Sequence, residues 1–278
     1  MEFRLLNFVF GAAAFLMTIV PTFAADNVLK LTFSGETRTV SAAELLARKD
    51  VADITIANDV AYGKPMTYKA VPLLALLGRS AKLDFDTLQG AATDGYVSEL
   101  PMALIKRGAA GGAVAWIAIE PPSKAWPKIP KKNISAGPFY LVWQSPKKSN
   151  ITPGQWPYAL GALEGVRSPM QRWPQLSVAS SYGDEAPERR GMRVFVKHCL
   201  SCHRLNGGGG ADAGPDVMKP MAVTEYMTEK GLRALIRDPA SVRSWPQRKM
   251  TGFAKDILSD RDLNDLISYL KAQASSAQ

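Results

Sequence analysis

The pentapeptide Cys199-Leu200-Ser201-Cys202-His203 constrains this chain more than any other part of its sequence. Two thiols three residues apart on a short helical turn can reach the two vinyl groups along one edge of a porphyrin. A histidine directly after the second thiol then supplies its imidazole to the iron. The spacing C-x-x-C-H is typical of covalent c-type haem attachment. We therefore predict one haem c, with thioether links at Cys199 and Cys202 and axial ligation by His203.

Other uses of a Cys-x-x-Cys pair fit the sequence less well. A thioredoxin-like redox pair needs a βαβ pattern, whereas here a helical segment is followed by a glycine-rich loop. A zinc site needs four ligands, but the chain has 2 cysteines and 2 histidines and no second metal-binding pair. A simple disulfide is the remaining alternative, and it does not account for the adjacent histidine.

Residues 1–24 have the pattern of a secretory signal peptide. Arg4 precedes a nearly unbroken apolar run over 5–20, and Thr22-Phe23-Ala24 offers small residues at the positions that signal peptidase reads. The run is short for a membrane span, although an uncleaved anchor is a second interpretation, and we expect no transmembrane span after the signal. Because bacteria attach haem c outside the cytoplasmic membrane, export and the haem motif predict one another, and we expect a periplasmic protein.

The net charge of +9 restricts the partners of an exported protein. A basic surface can attract nucleic acid, anionic lipid or an acidic protein, and nucleic acid is not expected in that compartment. We expect an acidic redox partner, because electrostatic attraction speeds the encounter without requiring tight binding. A general contribution of the charge to solubility is the alternative.

The length of 278 residues fits two domains of ordinary size after the signal. Residues 175–187 are small and polar without apolar periodicity, which is typical of a linker. We therefore predict a mixed α+β domain at 25–174, a linker at 175–187 and an all-α domain at 188–278. In the last of these, helices are predicted over 188–199, over 229–237 and after a capping-box-like start at Ser259.

The run over 191–203 and the Gly214-Pro215 pair after it come in the order found in class I cytochrome c domains. Residues 188–278 resemble that family, which implies a cytochrome c fold. The resemblance also implies that Gly191 and Phe195 pack the first helix across the last one. It further implies that the Pro215 carbonyl accepts a hydrogen bond from the second ring nitrogen of His203 and so fixes the imidazole.

The same resemblance implies a methionine as the sixth ligand of the haem iron. Met250 lies in a loop before the final helix, as the ligand does in that family, although Thr251 stands where proline is often found. His198 is a weaker candidate, because it is one helical position from Cys199 and is expected to point away. Four other methionines are expected to pack around the macrocycle: Met192, Met218, Met221 and Met227.

The N-terminal sequence mixes short strands with short helices, which predicts an α+β domain. Strands are predicted over 28–33, 53–56, 113–119 and 139–143. Helices are predicted from a capping box at Ser41 through Arg48, and over 71–77.

Three phrases, over 66–77, 92–96 and 137–142, are similar to the sulfite oxidase-type molybdopterin domain. That family binds its metal through a cysteine thiolate after an early strand. The corresponding run here, Ile54-Thr-Ile-Ala-Asn-Asp59, has no cysteine, and both cysteines of the chain belong to the haem motif. Without that soft ligand, molybdopterin is not expected, and a cofactor-free docking scaffold is favoured.

A basic cluster interleaved with Trp126, Phe139, Tyr140 and Trp143 is either a docking face or a solvated loop beside core aromatics. Its members are Lys124, Lys128, Lys131, Lys132, Lys147 and Lys148.

The sequence favours an electron-transfer protein over an enzyme, because no catalytic constellation is found. A monohaem cytochrome would carry single electrons between a periplasmic redox enzyme and an acceptor, with the N-terminal domain as a docking module. One alternative is a molybdopterin-type oxidoreductase with a fused haem domain. Another is a haem-bearing subunit or sensor.

Overall fold

A computed structural model describes residues 27–82, 84–130, 132–246 and 248–276. Buried hydrophobic residues form two separate clusters, one over the N-terminal region and one between Leu176 and Leu270. Two cores agree with the predicted two-domain layout. The signal peptide predicted at 1–24 lies outside the described residues. None of the helices in the described ranges is both long enough and apolar enough to cross a membrane.

The N-terminal region is rich in β-sheet. Its described strands are β1 Val28–Phe33, β2 Glu36–Ser41, β3 Ala52–Ile56, β4 Met66–Pro72, β5 Thr87–Ala92, β6 Val97–Pro101, β7 Val114–Ile119, β8 Phe139–Gln144 and β9 Leu160–Val166. One sheet has the order β2-β1-β9-β5-β6 and the other β3-β4-β7-β8. β1 and β9 pair in parallel, and the other neighbours pair in antiparallel fashion. The four predicted strands are confirmed to within one residue at either end.

Short helices connect these strands: α1 Ala42–Leu46, α2 Leu73–Leu77, α3 Met102–Lys106 and α4 Pro169–Arg172. The capping box predicted at Ser41 is confirmed, because Ser41 Oγ accepts the Glu44 N–H at 3.1 Å and the Glu44 carboxylate accepts the Ser41 N–H at 2.6 Å. The helix predicted over 71–77 begins two residues late. Strand β4 continues through Pro72, because Val71 and Pro72 pair with β7.

Strand β8 lies at the centre of the N-terminal core. Phe139, Tyr140 and Trp143 are fully buried, and the Trp143 indole N–H donates to the Gln155 carbonyl at 2.8 Å. These aromatic side chains are therefore core residues, as the second interpretation of the basic cluster expected.

Regular structure in the described residues from 187 onward is helical, apart from two isolated bridges. The helices are α5 Pro187–His198, α6 Val223–Tyr226, α7 Glu229–Arg237, α8 Pro239–Val242 and α9 Asp260–Ser276. The predicted helices correspond to α5, α7 and α9. Helix α7 ends before Asp238-Pro239, since the residue before a proline is driven to extended backbone. Asp238 has φ −149° and ψ 92°.

Helices α5 and α9 cross at Gly191, as the resemblance to class I cytochrome c domains implied. A Cβ on Gly191 would lie 2.0 Å from the Asp265 carbonyl oxygen, so only glycine lets the backbones approach so closely. Phe195 and Tyr269 pack beside this point with ring centroids 5.7 Å apart. The Arg190 guanidinium forms two hydrogen bonds, of 2.7 and 2.8 Å, to the Asp265 carboxylate, whose side chain is 6% exposed.

The beginning of the 175–187 segment, which was predicted as a linker, packs against α9. Leu176 is fully buried, and its carbonyl accepts the Tyr269 hydroxyl at 2.7 Å and the Gln273 amide at 3.3 Å. Val178 joins the same core. The segment lacks apolar periodicity because it is held through its backbone carbonyls and two apolar anchors, which leave no repeating pattern in the sequence.

We expect the substitution Gly191→Ala to destabilise the protein by about 1–3 kcal/mol, since the new methyl group meets backbone that must shift. This loss exceeds the gain of about 1 kcal/mol in helix propensity. Urea unfolding measures the change. Gly183→Ala is the control, because a Cβ there meets nothing within 4 Å. Equal stability of the two variants would contradict the close crossing.

Candidate functional site at the Cys199–His203 turn

The two thiols and the imidazole lie on one short turn at the end of α5. The Cys199 N–H donates to the Phe195 carbonyl at 2.8 Å and closes the helix. The Cys199 carbonyl then accepts the N–H groups of Cys202 at 3.0 Å and His203 at 2.9 Å. Both cysteines are free and half-buried. The turn therefore presents two thiols and one imidazole from a stretch of five residues.

Burial sets the protonation of this turn. It raises the pKa of the Cys199 thiol to about 12, with a smaller contribution from Cys202. Burial also raises the pKa of Cys202. It lowers the pKa of His203, against the opposing effects of the Pro215 carbonyl and the Asp216 charge. Near neutral pH the thiols are protonated and the imidazole is neutral, which is the form that binds a metal.

The His203 ring is fixed by a hydrogen bond from Nδ1 to the Pro215 carbonyl oxygen at 2.8 Å. This is the bond that the sequence resemblance implied. It leaves Nε2 as the nitrogen with the free lone pair. A Cβ on Gly214 would lie 2.7 Å from His203 Cε1, so glycine is needed at this position for the loop to reach the ring.

The Asp216 carboxylate ties this loop to the glycine-rich turn. It accepts backbone N–H groups from Asn206 at 3.0 Å, Gly207 at 2.6 Å and Met218 at 2.9 Å. Sequence reasoning missed its role. The available signal was an aspartate directly after a Gly-Pro pair, since aspartate commonly accepts N–H groups two residues further along a turn.

The loop that holds Met250 is pinned against α7. The Phe253 N–H donates to the Ile236 carbonyl at 3.0 Å, and a Cβ on Gly252 would lie 2.1 Å from the Arg237 carbonyl oxygen. The Met250 carbonyl accepts from Arg248 Nη1 at 2.6 Å. Met250 itself is half-buried. The backbone around it is therefore held in place by contacts on both sides.

The other methionines and His198 have different surroundings. Met218 is 6% exposed and belongs to the C-terminal core, whereas Met221 is 52% exposed. Met192 and Met227 pack against the same core. Burial, helped by the Lys197 charge, lowers the pKa of His198 to about 4, and its ring packs edge-on against Phe253 with centroids 5.8 Å apart.

The donor set fits a covalently held haem. Two thiols and a neutral imidazole share the turn, and a further donor lies in the Met250 loop. Among the described side chains, Arg248 Nε is buried without a hydrogen-bond partner. A buried guanidinium N–H that lacks an acceptor is costly, and a porphyrin carboxylate is a suitable acceptor for it.

The family model for cytochrome c matches residues 188–274. The C-terminal part of the chain is a cytochrome c domain. This domain supports haem c binding, electron transfer and a redox protein as partner. The match covers 87 of the 278 residues, counted from its two ends. It gives no support to the sulfite oxidase-type resemblance of the N-terminal domain. The chain has no match among the curated proteins searched.

The run over 54–59 ends in a buried carboxylate that sequence reasoning did not single out. Asp59 is 2% exposed, and it accepts the Tyr68 hydroxyl at 2.8 Å and the N–H groups of Ala61 and Tyr62 at 2.9 Å. Burial raises its pKa, and these hydrogen bonds oppose that effect. Over the ranges that the structure describes, no group of three or more histidine, cysteine or acidic side chains is arranged to hold a metal ion.

The basic cluster predicted from sequence is divided by strand β8. Lys132 lies before this strand, whereas Lys147 and Lys148 follow it. A strand of six residues spans about 20 Å at its usual rise. The exposed residues Lys124 and Lys128 belong with Lys132 in the chain segment that leads into the strand.

We expect Asp216→Ala to lower the free energy of unfolding by about 2 kcal/mol, because it removes one charged acceptor from three backbone donors. Urea unfolding of the variant measures this loss. Asp256→Ala, at an exposed turn position, serves as the control and should change stability by less than about 0.5 kcal/mol. If both variants were as stable as the parent protein, the loop would not depend on the carboxylate.

Proposed function

We propose that this protein is an exported monohaem c-type cytochrome that carries single electrons between a periplasmic redox enzyme and an acceptor. The observation that carries this proposal is the hydrogen bond from His203 Nδ1 to Pro215, on a turn that also presents two protonated thiols. Together these groups supply what covalent haem attachment and axial ligation need.

Each residue has a separate role in this proposal. Cys199 and Cys202 hold the haem through thioether bonds, and His203 offers Nε2 to the iron while Pro215 keeps the ring oriented. Met250 supplies the sixth ligand. Bound haem supplies a one-electron couple between ferric and ferrous iron, and methionine ligation raises its potential. The protein keeps the imidazole neutral and excludes water around these groups.

The N-terminal domain acts as a docking module and not as a second catalytic centre. Both histidines of the chain belong to the C-terminal domain, so a Ser-His or zinc-histidine centre has no histidine in the N-terminal domain. The exposed residues Lys124, Lys128 and Lys132 give it a basic segment. We propose that this segment attracts an acidic redox partner through long-range charge.

The proposed haem attachment also implies that the protein is exported. Residues 1–24 carry a signal pattern, and the proposed haem attachment requires the chain to reach the periplasm.

The decisive experiment is expression of the full chain in a bacterium with a periplasmic haem-attachment system. We expect the purified protein to gain the mass of one haem that denaturation does not release, and to show a Soret band. Replacement of both Cys199 and Cys202 by serine should abolish the covalent mass increment, since no thioether can form. A parent protein with neither the added mass nor the Soret band would overturn the proposed function.

The sixth ligand is tested by Met250→Ala. We expect the variant to retain covalent haem, to bind carbon monoxide in the ferrous state and to have a lower reduction potential than the parent. Met221→Ala is the matched control, because that side chain is 52% exposed. Met218→Ala addresses the buried alternative. If Met218→Ala opened the iron to carbon monoxide and Met250→Ala did not, the assignment to Met250 would be wrong.

A further inference from the structure

A loop of the N-terminal domain lies directly against the haem-attachment turn. The Val97 N–H, at the start of β6, donates to the carbonyl of Ser201 at 2.9 Å. Ser201 is the residue between Leu200 and Cys202 within the haem motif. On the other side of the contact, the Asp212 N–H donates to the Gly95 carbonyl at 3.2 Å. Backbone hydrogen bonds of this kind fix the two domains to each other at the motif itself.

Tyr96 adds a side-chain connection to the same turn. Its hydroxyl donates to the Gly154 carbonyl at 2.6 Å. A Cβ on Gly154 would lie 3.4 Å from this hydroxyl and 3.9 Å from Ser201 Oγ, so both groups lie against Gly154. Burial raises the pKa of Tyr96, so the hydroxyl keeps its proton at any ordinary pH. The Tyr96 side chain therefore lies beside Ser201, the residue next to Cys202.

The contact depends on a glycine. Gly95 has φ +87°, in the left-handed region, and a Cβ there would lie 1.9 Å from Asp212 Oδ1. A larger residue would thus be strained in its backbone, would displace the Asp212 carboxylate and would lie 3.3 Å from the Ala213 backbone nitrogen. The 94–97 loop therefore packs tightly against the haem-domain loop at Asp212 and Ala213.

Charged groups of both domains meet at this junction. Lys249 Nζ, in the Met250 loop, donates to the carbonyl of Asp94, in the N-terminal domain, at 3.3 Å. Two domains therefore share the surface next to the second thioether position.

We infer that the 94–97 loop forms one wall of the haem pocket, where it shields the Cys202 edge from water and raises the reduction potential. Tyr96 is a positioning residue in this arrangement. The inference rests on the proposed function, since it concerns bound haem. Water stabilises the more highly charged ferric state, so a wall that excludes water favours the ferrous state.

The test uses the haem-loaded full chain with the substitution Gly95→Ala. We expect the ferric-to-ferrous ratio at a fixed applied potential to rise about tenfold, which is about 59 mV for one electron. The Soret band should also respond more strongly to ethylene glycol, because more of the haem edge is exposed. Gly35→Ala is the matched control, since Gly35 has φ +82° and a Cβ there meets nothing within 4 Å.

Tyr96→Phe is a milder variant that keeps the ring and removes the hydroxyl, and it serves if Gly95→Ala does not fold. We expect a smaller rise of the same ratio with unchanged methionine ligation. Tyr226→Phe, at a side chain that is 61% exposed, is its control. Haem-loaded variants with the parent potential would overturn this inference alone. A parent protein without haem would instead overturn the proposed function.

Discussion

The rest of the site depends on how the chain holds the His203 ring after α5 ends. The hydrogen bond from Nδ1 to Pro215 commits one nitrogen as the donor and leaves the other with a free lone pair. That bond requires the loop to approach the ring at Gly214, where a Cβ would lie 2.7 Å from Cε1. Asp216 then ties the same loop back to the glycine-rich turn through three backbone donors. The orientation of the His203 imidazole is thus set by backbone contacts within about a dozen residues of the motif.

The helices behind the turn give it a rigid base. Gly191 lets α5 and α9 touch at backbone distance, and the Arg190–Asp265 pair closes the crossing on one side. The Asp265 side chain of this ion pair is almost fully buried. Its two hydrogen bonds therefore matter more to stability than the attraction between the two charges. The 175–187 segment adds Leu176 beneath α9, with its carbonyl bonded to Tyr269. Movement of the turn would therefore disturb a packed core.

Local signals predicted local structure well. The capping box at Ser41, the proline after α7 and the glycine at the helix crossing each act within a few residues or within a recognisable motif. Contacts between distant parts of the chain carry no comparable signal. The parallel pairing of β1 with β9 and the burial of Asp59 depend on which strands meet, and the hydrophobic pattern of one strand does not specify its neighbour. For the same reason, the sequence does not specify whether the lysines before and after β8 share one surface.

The contacts between the two domains affect how a partner docked on the N-terminal domain would be oriented toward the haem. A docking module attached by a free linker would move independently of the haem, and its charge would affect only the encounter with a partner. Here the Val97 N–H bonds to the carbonyl of Ser201, next to Cys202, and the Asp212 N–H bonds to the Gly95 carbonyl. A partner held by the N-terminal lysines would consequently meet the haem in one fixed orientation. Because electron transfer depends on the distance and orientation of the two redox groups, the docking that we propose would select partners by geometry after charge has brought them together.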